Sequence, residues 1–176
     1  MSELALRFPV LDDAEAVLAA VRESLAELRP WAPWCHPDYA LADAEAWIAP
    51  QAAGRATGSA FEFVITRDGR LLGCCGINAI NPIYRMANLG YWVRSSETRR
   101  GVATEAVGLL ADWSFANTDL ERLEIVVAVG NIASLRVATR AGAVREGVLR
   151  SRLLVHGQFQ DAVMHSIVRS AWRPER

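Results

Sequence analysis

The stretch Tyr91-Trp92-Val93-Arg94-Ser95-Ser96-Glu97-Thr98-Arg99-Arg100-Gly101-Val102-Ala103-Thr104-Glu105-Ala106 constrains the fold more than any other part of this chain. A β-rich run ends in a short polar turn, and the turn opens through Gly101 and Ala103 into a long segment, about residues 98–116, that is apolar on nearly every face. A helix of that kind has to be buried. Its first turn leaves backbone N–H groups without intrahelical partners and carries a partial positive charge. Small residues there let an anion approach closely. Arg99 and Arg100 add formal charge beside it. The pattern reads as a diphosphate cradle, or as two arginines on a surface turn before a core helix.

The remaining elements follow from periodicity and punctuation. Residues 3–8 alternate as a first strand. Asp12 or Asp13 can cap a helix reaching about Leu28, with Ala16, Val17, Ala20, Val21, Leu25 and Leu28 on one face. Pro30, Pro33 and Pro37 exclude a regular helix from residues 29–39. That segment also holds Trp31, Trp34, His36 and Tyr39, and reads as an aromatic loop acting as a hydrophobic plug or a substrate lid. Residues 43–49 suit a second helix and 51–59 a flexible connector. Residues 61–66 and 70–78 flank Asp68-Gly69, a hairpin signal. Strands at 89–94 and 122–129, a helix at 132–141 ended by Gly142, and strands at 148–155 and 160–168 around His156-Gly157 complete the order. Two helices, three strands, a helix, a strand, a helix and two strands after the first strand form neither a βαβ series nor an all-β pattern. The economical solution is an α/β mixed sheet with helices on both faces.

The 176 residues suit one domain, 1–176. Nineteen basic residues against twenty acidic ones leave a net charge of -1, so no whole-protein field draws nucleic acid or anionic lipid. No apolar run approaches the roughly 18 residues that span a bilayer, and residues 1–7 lack a signal peptide's apolar stretch. Cys35, Cys74 and Cys75 lack paired spacing, and neighbouring cysteines on a strand face opposite ways, so neither a disulfide framework nor a metal site is expected. The reading is a reduced, cytoplasmic protein without metal. Exposed aromatic loops leave room for a homodimer.

No phosphate loop ending in Gly-Lys-Ser or Gly-Lys-Thr and no Gly-x-Gly-x-x-Gly after a strand competes for the anion site. Residues 99–106 instead resemble the acetyl-CoA signature of the GNAT superfamily: Arg or Gln, two residues, Gly, one residue, then Gly or Ala. Aligned on Gly101 and Ala103, the first position is Thr98, which removes one long side chain and leaves the backbone cradle. Leu89-Gly90-Tyr91-Trp92-Val93, Asn131-Ile132-Ala133-Ser134 with Gly142, and Leu28-Arg29-Pro30-Trp31-Ala32-Pro33-Trp34 are similar to segments of the RimJ/RimL branch, the ribosomal-protein N-terminal acetyltransferases, with Ala143 in place of an aromatic.

The resemblance implies a mostly antiparallel sheet of about seven strands whose central parallel pair splays apart. It implies acetyl-CoA as co-substrate and an amine acceptor, either a protein N-terminus or a small molecule. Trp92, Val93 and Arg94 would pair with the pantetheine arm, and the amides of Arg99, Arg100, Gly101, Val102, Ala103 and Thr104 would hold the diphosphate. Ser134 would serve the leaving sulfur, Asn131 would cap its helix and touch the arm, and Arg140 would reach the ribose phosphate. The base is open. Asn88 stands where many relatives carry an acid, and an amide takes no proton. Glu124 alternates with Leu123 and Ile125, and is either the catalytic base or an ion-pair partner. Glu105 suits the helix dipole, His36 has a suitable reference pKa of about 6.5, and a water relay serves equally. A binding module that senses acyl-CoA without turnover is the competing class.

Overall fold

The computed structural model describes residues 3–173. Its seven strands are β1 (Ala5–Arg7), β2 (Phe61–Arg67), β3 (Arg70–Asn81), β4 (Met86–Val93), β5 (Arg122–Ala128), β6 (Val144–Val155) and β7 (Gln158–Val168). They form one sheet in the order β1-β2-β3-β4-β5-β7-β6. Every neighbouring pair is antiparallel except β4 and β5. The helices are α1 (Ala14–Glu23), α2 (Leu25–Leu28), α3 (Leu41–Ile48), α4 (Gln51–Thr57), α5 (Val102–Asn117) and α6 (Ile132–Arg140).

Alternation along the strands builds a core on each face. Phe63, Ile65, Cys75, Ile77, Leu89, Leu123 and Ile125 pack with Val102, Ala106, Val107 and Leu110 of α5. Val64, Leu71 and Cys74 turn the other way, against Val17, Ala20 and Val21 of α1 and Ala44 and Ile48 of α3. The adjacent cysteines thus lie in different cores, both buried and free.

Turn chemistry sets the register. Asp68 and Gly69 (φ 52° and 75°) and His156 and Gly157 (φ 47° and 80°) are left-handed, as tight hairpins with the sheet's twist require. The parallel pair is short: Met86, Ala87 and Asn88 match Arg122, Leu123 and Glu124, and pairing then stops. The strands are unpaired beyond that point, and the candidate site lies in the gap.

Three expectations change. Residues 51–59 are no loose connector, because 51–57 form α4. Pro50 precedes it, Gly58 closes it at φ 68°, and the Arg55 guanidinium lies 4.3 Å over the Phe8 ring. The helix expected to reach Leu28 breaks at Ser24, whose hydroxyl donates to the Ala20 carbonyl (2.7 Å). Asp13 stands at the N-cap of α1, but its side chain makes no cap bond to that helix. Its carboxylate takes both Arg7 guanidinium nitrogens (2.7 and 2.5 Å) and the Val10 N–H (2.9 Å), which ties β1 to the start of α1. Among the described residues no helix is long and apolar enough to cross a membrane, and no cluster of three or more His, Cys, Asp or Glu is placed to hold a metal.

Candidate acyl-transfer site at the β4–β5 gap

The turn between β4 and α5 is anchored from one side and open on the other. Arg94 donates to the Glu23 carboxylate through Nε (2.9 Å) and Nη2, and to the Leu71 carbonyl (3.1 Å). The Ser96 N–H donates to the same carboxylate (2.8 Å), and together these donors pull the Glu23 carboxyl down to about 2. The Ser95 N–H meets the Ser24 hydroxyl (2.9 Å), and the Ser95 hydroxyl meets Glu27 (2.9 Å). The break at Ser24 therefore frees a hydroxyl that helps hold this turn.

Beyond Thr98 the chain turns outward. Arg99 and Gly101 are both left-handed (φ 61° and 83°) around Arg100. Such alternation turns consecutive N–H groups into one concavity. The N–H groups of residues 99–104 have no acceptor among the described residues, while the Glu105 N–H begins the α5 ladder on the Gly101 carbonyl (3.0 Å). A Cβ at Gly101 would meet nothing within 4 Å. Arg99 is exposed without a partner among the described residues, and Arg100 leans on the buried Glu97 (3.1 Å), which also takes Arg70 (2.9 Å). Val102 is buried, with Ala103 and Thr104 at its side half-buried. An open set of amides at the head of a long helix fits a diphosphate.

The β4 backbone leads from this cradle into the gap. The Arg94 N–H is spent on the Leu72 carbonyl of β3 (2.8 Å), and the Arg85 carbonyl faces β5, where it accepts from Glu121 (2.7 Å). Peptide groups alternate sides along a strand. Trp92 and Arg94 thus face β3, whereas Tyr91 and Val93 turn their peptide groups toward the unpaired side. An extended amide-bearing arm can pair there.

Across the gap, Asn131 caps α6 by accepting the Ser134 N–H (3.1 Å). Ser134 and Tyr91 touch through their hydroxyls at 2.9 Å, and the Tyr91 hydroxyl also lies 3.0 Å from the Ser134 carbonyl. Burial pushes the Tyr91 phenol up to about 12, against the opposing effect of Ser134. When Tyr91 donates to Ser134 Oγ, the serine proton is free to face the gap. Tyr91 escaped the sequence reading, because nothing along the chain links it to Ser134.

The other predicted residues fall around this centre. Glu124 lies on the cleft face beside Asn88, but it accepts from Arg122 Nε (2.8 Å), and Arg122 also grips Glu146 through both terminal nitrogens (2.7 and 2.6 Å). Arg140 is exposed at the end of α6, with no partner among the described residues. Glu105 pairs with Arg67 (3.0 Å), and His36 stands 3.6 Å from Asp43. The aromatic loop divides its work. Cys35 and Tyr39 fill the α1–α3 core. Trp34 packs on Trp92 (ring centres 5.9 Å apart), and Trp31 lies 3.1 Å from where a Gly130 Cβ would stand, so the two indoles reach the ends of both diverging strands.

Comparison with known proteins places this geometry. Residues 3–144 match the family model "Acetyltransferase (GNAT) domain". YdaF of Bacillus subtilis, named as a candidate ribosomal N-acetyltransferase, is 33% identical over 109 residues, 62% of this chain and 60% of YdaF. The spermidine N(1)-acetyltransferase of Escherichia coli is 26% identical over 113 residues, 64% of this chain and 61% of that enzyme. The match therefore spans about three fifths of the length of these curated relatives. Mycobacterium smegmatis RimJ, solved in complex with CoA-disulfide, superposes with a TM-score of 0.87 at 29% identity, covering 95% of this chain and 82% of RimJ. With the family model matched over most of this chain and the splayed β4–β5 pair in place, the chain belongs to the GNAT acetyltransferase family.

Proposed function

We propose that this chain is an N-acetyltransferase that moves an acetyl group from acetyl-CoA to a primary amine by direct attack, residues 1–176 acting as one catalytic domain in the cytoplasm. The observation that carries the reading is the continuity of three features. The unpaired amides of residues 99–104 lead to the open edge of β4, and that edge leads to the Ser134–Tyr91 pair.

Acetyl-CoA supplies the activated thioester, and the chain supplies position and polarity. The residues 99–104 cradle and Arg99 hold the anionic end, with Arg140 placed for the ribose phosphate. Peptide groups of Tyr91 and Val93 fix the arm and aim an N–H at the carbonyl, a kind of contact worth about 2.7–4 kcal/mol elsewhere. Ser134 gives its proton to the departing sulfur and Tyr91 restores it. The Nδ2 of Asn131, not used in capping, holds the arm.

For the acceptor we favour a protein N-terminus, which the names of YdaF and RimJ support. The spermidine acetyltransferase among the relatives supports a small polyamine as the second reading. An acceptor screen that reads free thiol decides between N-terminal peptides and polyamines. Tight acetyl-CoA binding without acceptor-dependent thiol release would replace both with a non-catalytic acyl-CoA module.

The acid assignment has its own test. Ser134→Ala should lower kcat about a hundredfold, the lower end of general-acid contributions, with acetyl-CoA affinity changed less than threefold. Tyr91→Phe should lower kcat less, about tenfold, because Ser134 then loses only its proton source. Wild-type kcat in Ser134→Ala would remove the serine from the reaction.

A further inference from the structure

The search for a proton acceptor leads to a strand that the signature does not include. Glu62 of β2 sits between Phe61 and Phe63, faces the cleft side of the sheet and is half-buried. Its Oε1 accepts from Asn78 Nδ2 (3.0 Å), and Asn78 Oδ1 accepts from Asn88 Nδ2 (3.0 Å). Asn88, which cannot itself act as a base, thus ends a chain of amides that aims a carboxylate. The second oxygen, Oε2, has no donor among the described residues. It lies over Gly76, where an added Cβ would come within 2.0 Å of it.

Glu62, Gly76 and Gly90 are in register across β2, β3 and β4. In front of Gly90 the nearest atom to an added Cβ is Asn88 Nδ2, at 3.9 Å. Gly90 is also the second residue past the end of β4–β5 pairing. Two glycines therefore put no side chain of their own between the carboxylate oxygen and the β4 edge of the gap. The distance is about one strand spacing, roughly 5 Å, within reach of an amine or one water.

Resting on the transferase reading above, we infer that Glu62 is the catalytic base, accepting the proton of the incoming ammonium across Gly76 and Gly90. The proton balance closes. The ammonium gives one proton to the Glu62 carboxylate, and the freed lone pair forms the N–C bond as the C–S bond breaks. The second nitrogen proton refills Tyr91, which has restored the one that Ser134 passes to sulfur, and Glu62 releases its proton to solvent. Burial raises the Glu62 carboxyl from its ordinary value, with Asn78 opposing, which suits a base. The titratable groups whose charges bear on it are the Cys74 and Cys75 thiols of β3, and burial keeps both protonated. Glu124 stands level with Asn88 on β5, where Arg122 holds it.

The test uses the intact chain, a panel of amines and saturating acetyl-CoA. Glu62→Gln keeps an acceptor for Asn78, so it should fold. It should cut kcat about a hundredfold and leave acetyl-CoA affinity unchanged. The wild-type kcat/KM should rise through a carboxyl pKa and level off. In the variant that limb should vanish, and activity should climb toward the amine's own pKa. Gly90→Val adds a strand-favouring side chain where no clash awaits the Cβ, so stability should hold while turnover falls at least tenfold. A variant at position 62 that keeps the wild-type turnover and pH limb overturns the assignment, as does a Gly90→Val enzyme of full activity. A wild-type chain that binds acetyl-CoA but releases no thiol with any amine brings down the transferase reading, and this inference with it.

Discussion

Gly101→Asp should weaken acetyl-CoA binding by about a hundredfold to a thousandfold while leaving the fold intact. Gly101 is the N-cap of α5 at φ 83°, with no side-chain cap of its own. Aspartate is one of the few residues that accept a left-handed backbone, and it favours both N-caps and helix N-termini. Open space around the added Cβ removes steric cost. The melting temperature should therefore shift by less than about 4 °C, which for a chain of this size corresponds to roughly 1 kcal/mol. The coenzyme's diphosphate would meet a carboxylate in its own cradle. Two unit charges about 4 Å apart repel by about 4 kcal/mol at an effective dielectric of about 20, and solvent exposure reduces that. Gly101→Asn, neutral and equally tolerant of the backbone, should lose tenfold or less. Calorimetric titration measures both, and equal affinity in all three proteins would show that the diphosphate lies elsewhere.

Arg169→Met should cost about 3 kcal/mol of stability, lowering the melting temperature by about 6–12 °C. Arg169 follows β7 and gathers three backbone carbonyls: Leu120 at Nε (2.9 Å), Phe115 at Nη1 (2.5 Å) and Thr118 at Nη2 (2.8 Å). They lie where α5 ends and the chain enters β5, and a helix end leaves carbonyls unpaired unless something supplies donors. The guanidinium also lies 5.2 Å over the Phe115 ring. Each charged hydrogen bond is worth about 1.5–3 kcal/mol when protected, and partial exposure of the side chain lowers the sum. Methionine keeps the stem's apolar packing, so the loss reports the hydrogen bonds. Coenzyme binding in the cold should persist, because α5 places its cradle about 24 Å away at 1.5 Å per residue. Thermal unfolding followed by circular dichroism provides the measurement, and a shift under about 2 °C would mean that water replaces the arginine.

What could be read along the chain was what contiguous residues decide. The Asp68-Gly69 and His156-Gly157 hairpins, the Gly142 stop and the buried helix after Gly101 all follow from local backbone preference and side-chain period. Residues 51–57 resisted because Gly54 and polar residues weaken the helical pattern, while packing on β2 and Phe8 supplies the missing stability. Ser24 looked like any residue of a long amphipathic helix until its hydroxyl met Ser95 of a distant turn.

The sequence by itself determined the order of the strands and of the longer helices, the strand–turn–helix segment around Gly101 and the Asn131 cap, since each lies within a few consecutive residues. Only the tertiary structure decided which side chains share the gap. Tyr91 meets Ser134 from 43 positions away, Glu124 is held by Arg122, and Glu62 is aimed by amides of two other strands. Sheet pairing sets these neighbours. Register and the point where β4 leaves β5 are properties of the whole sheet, which no local run of residues encodes.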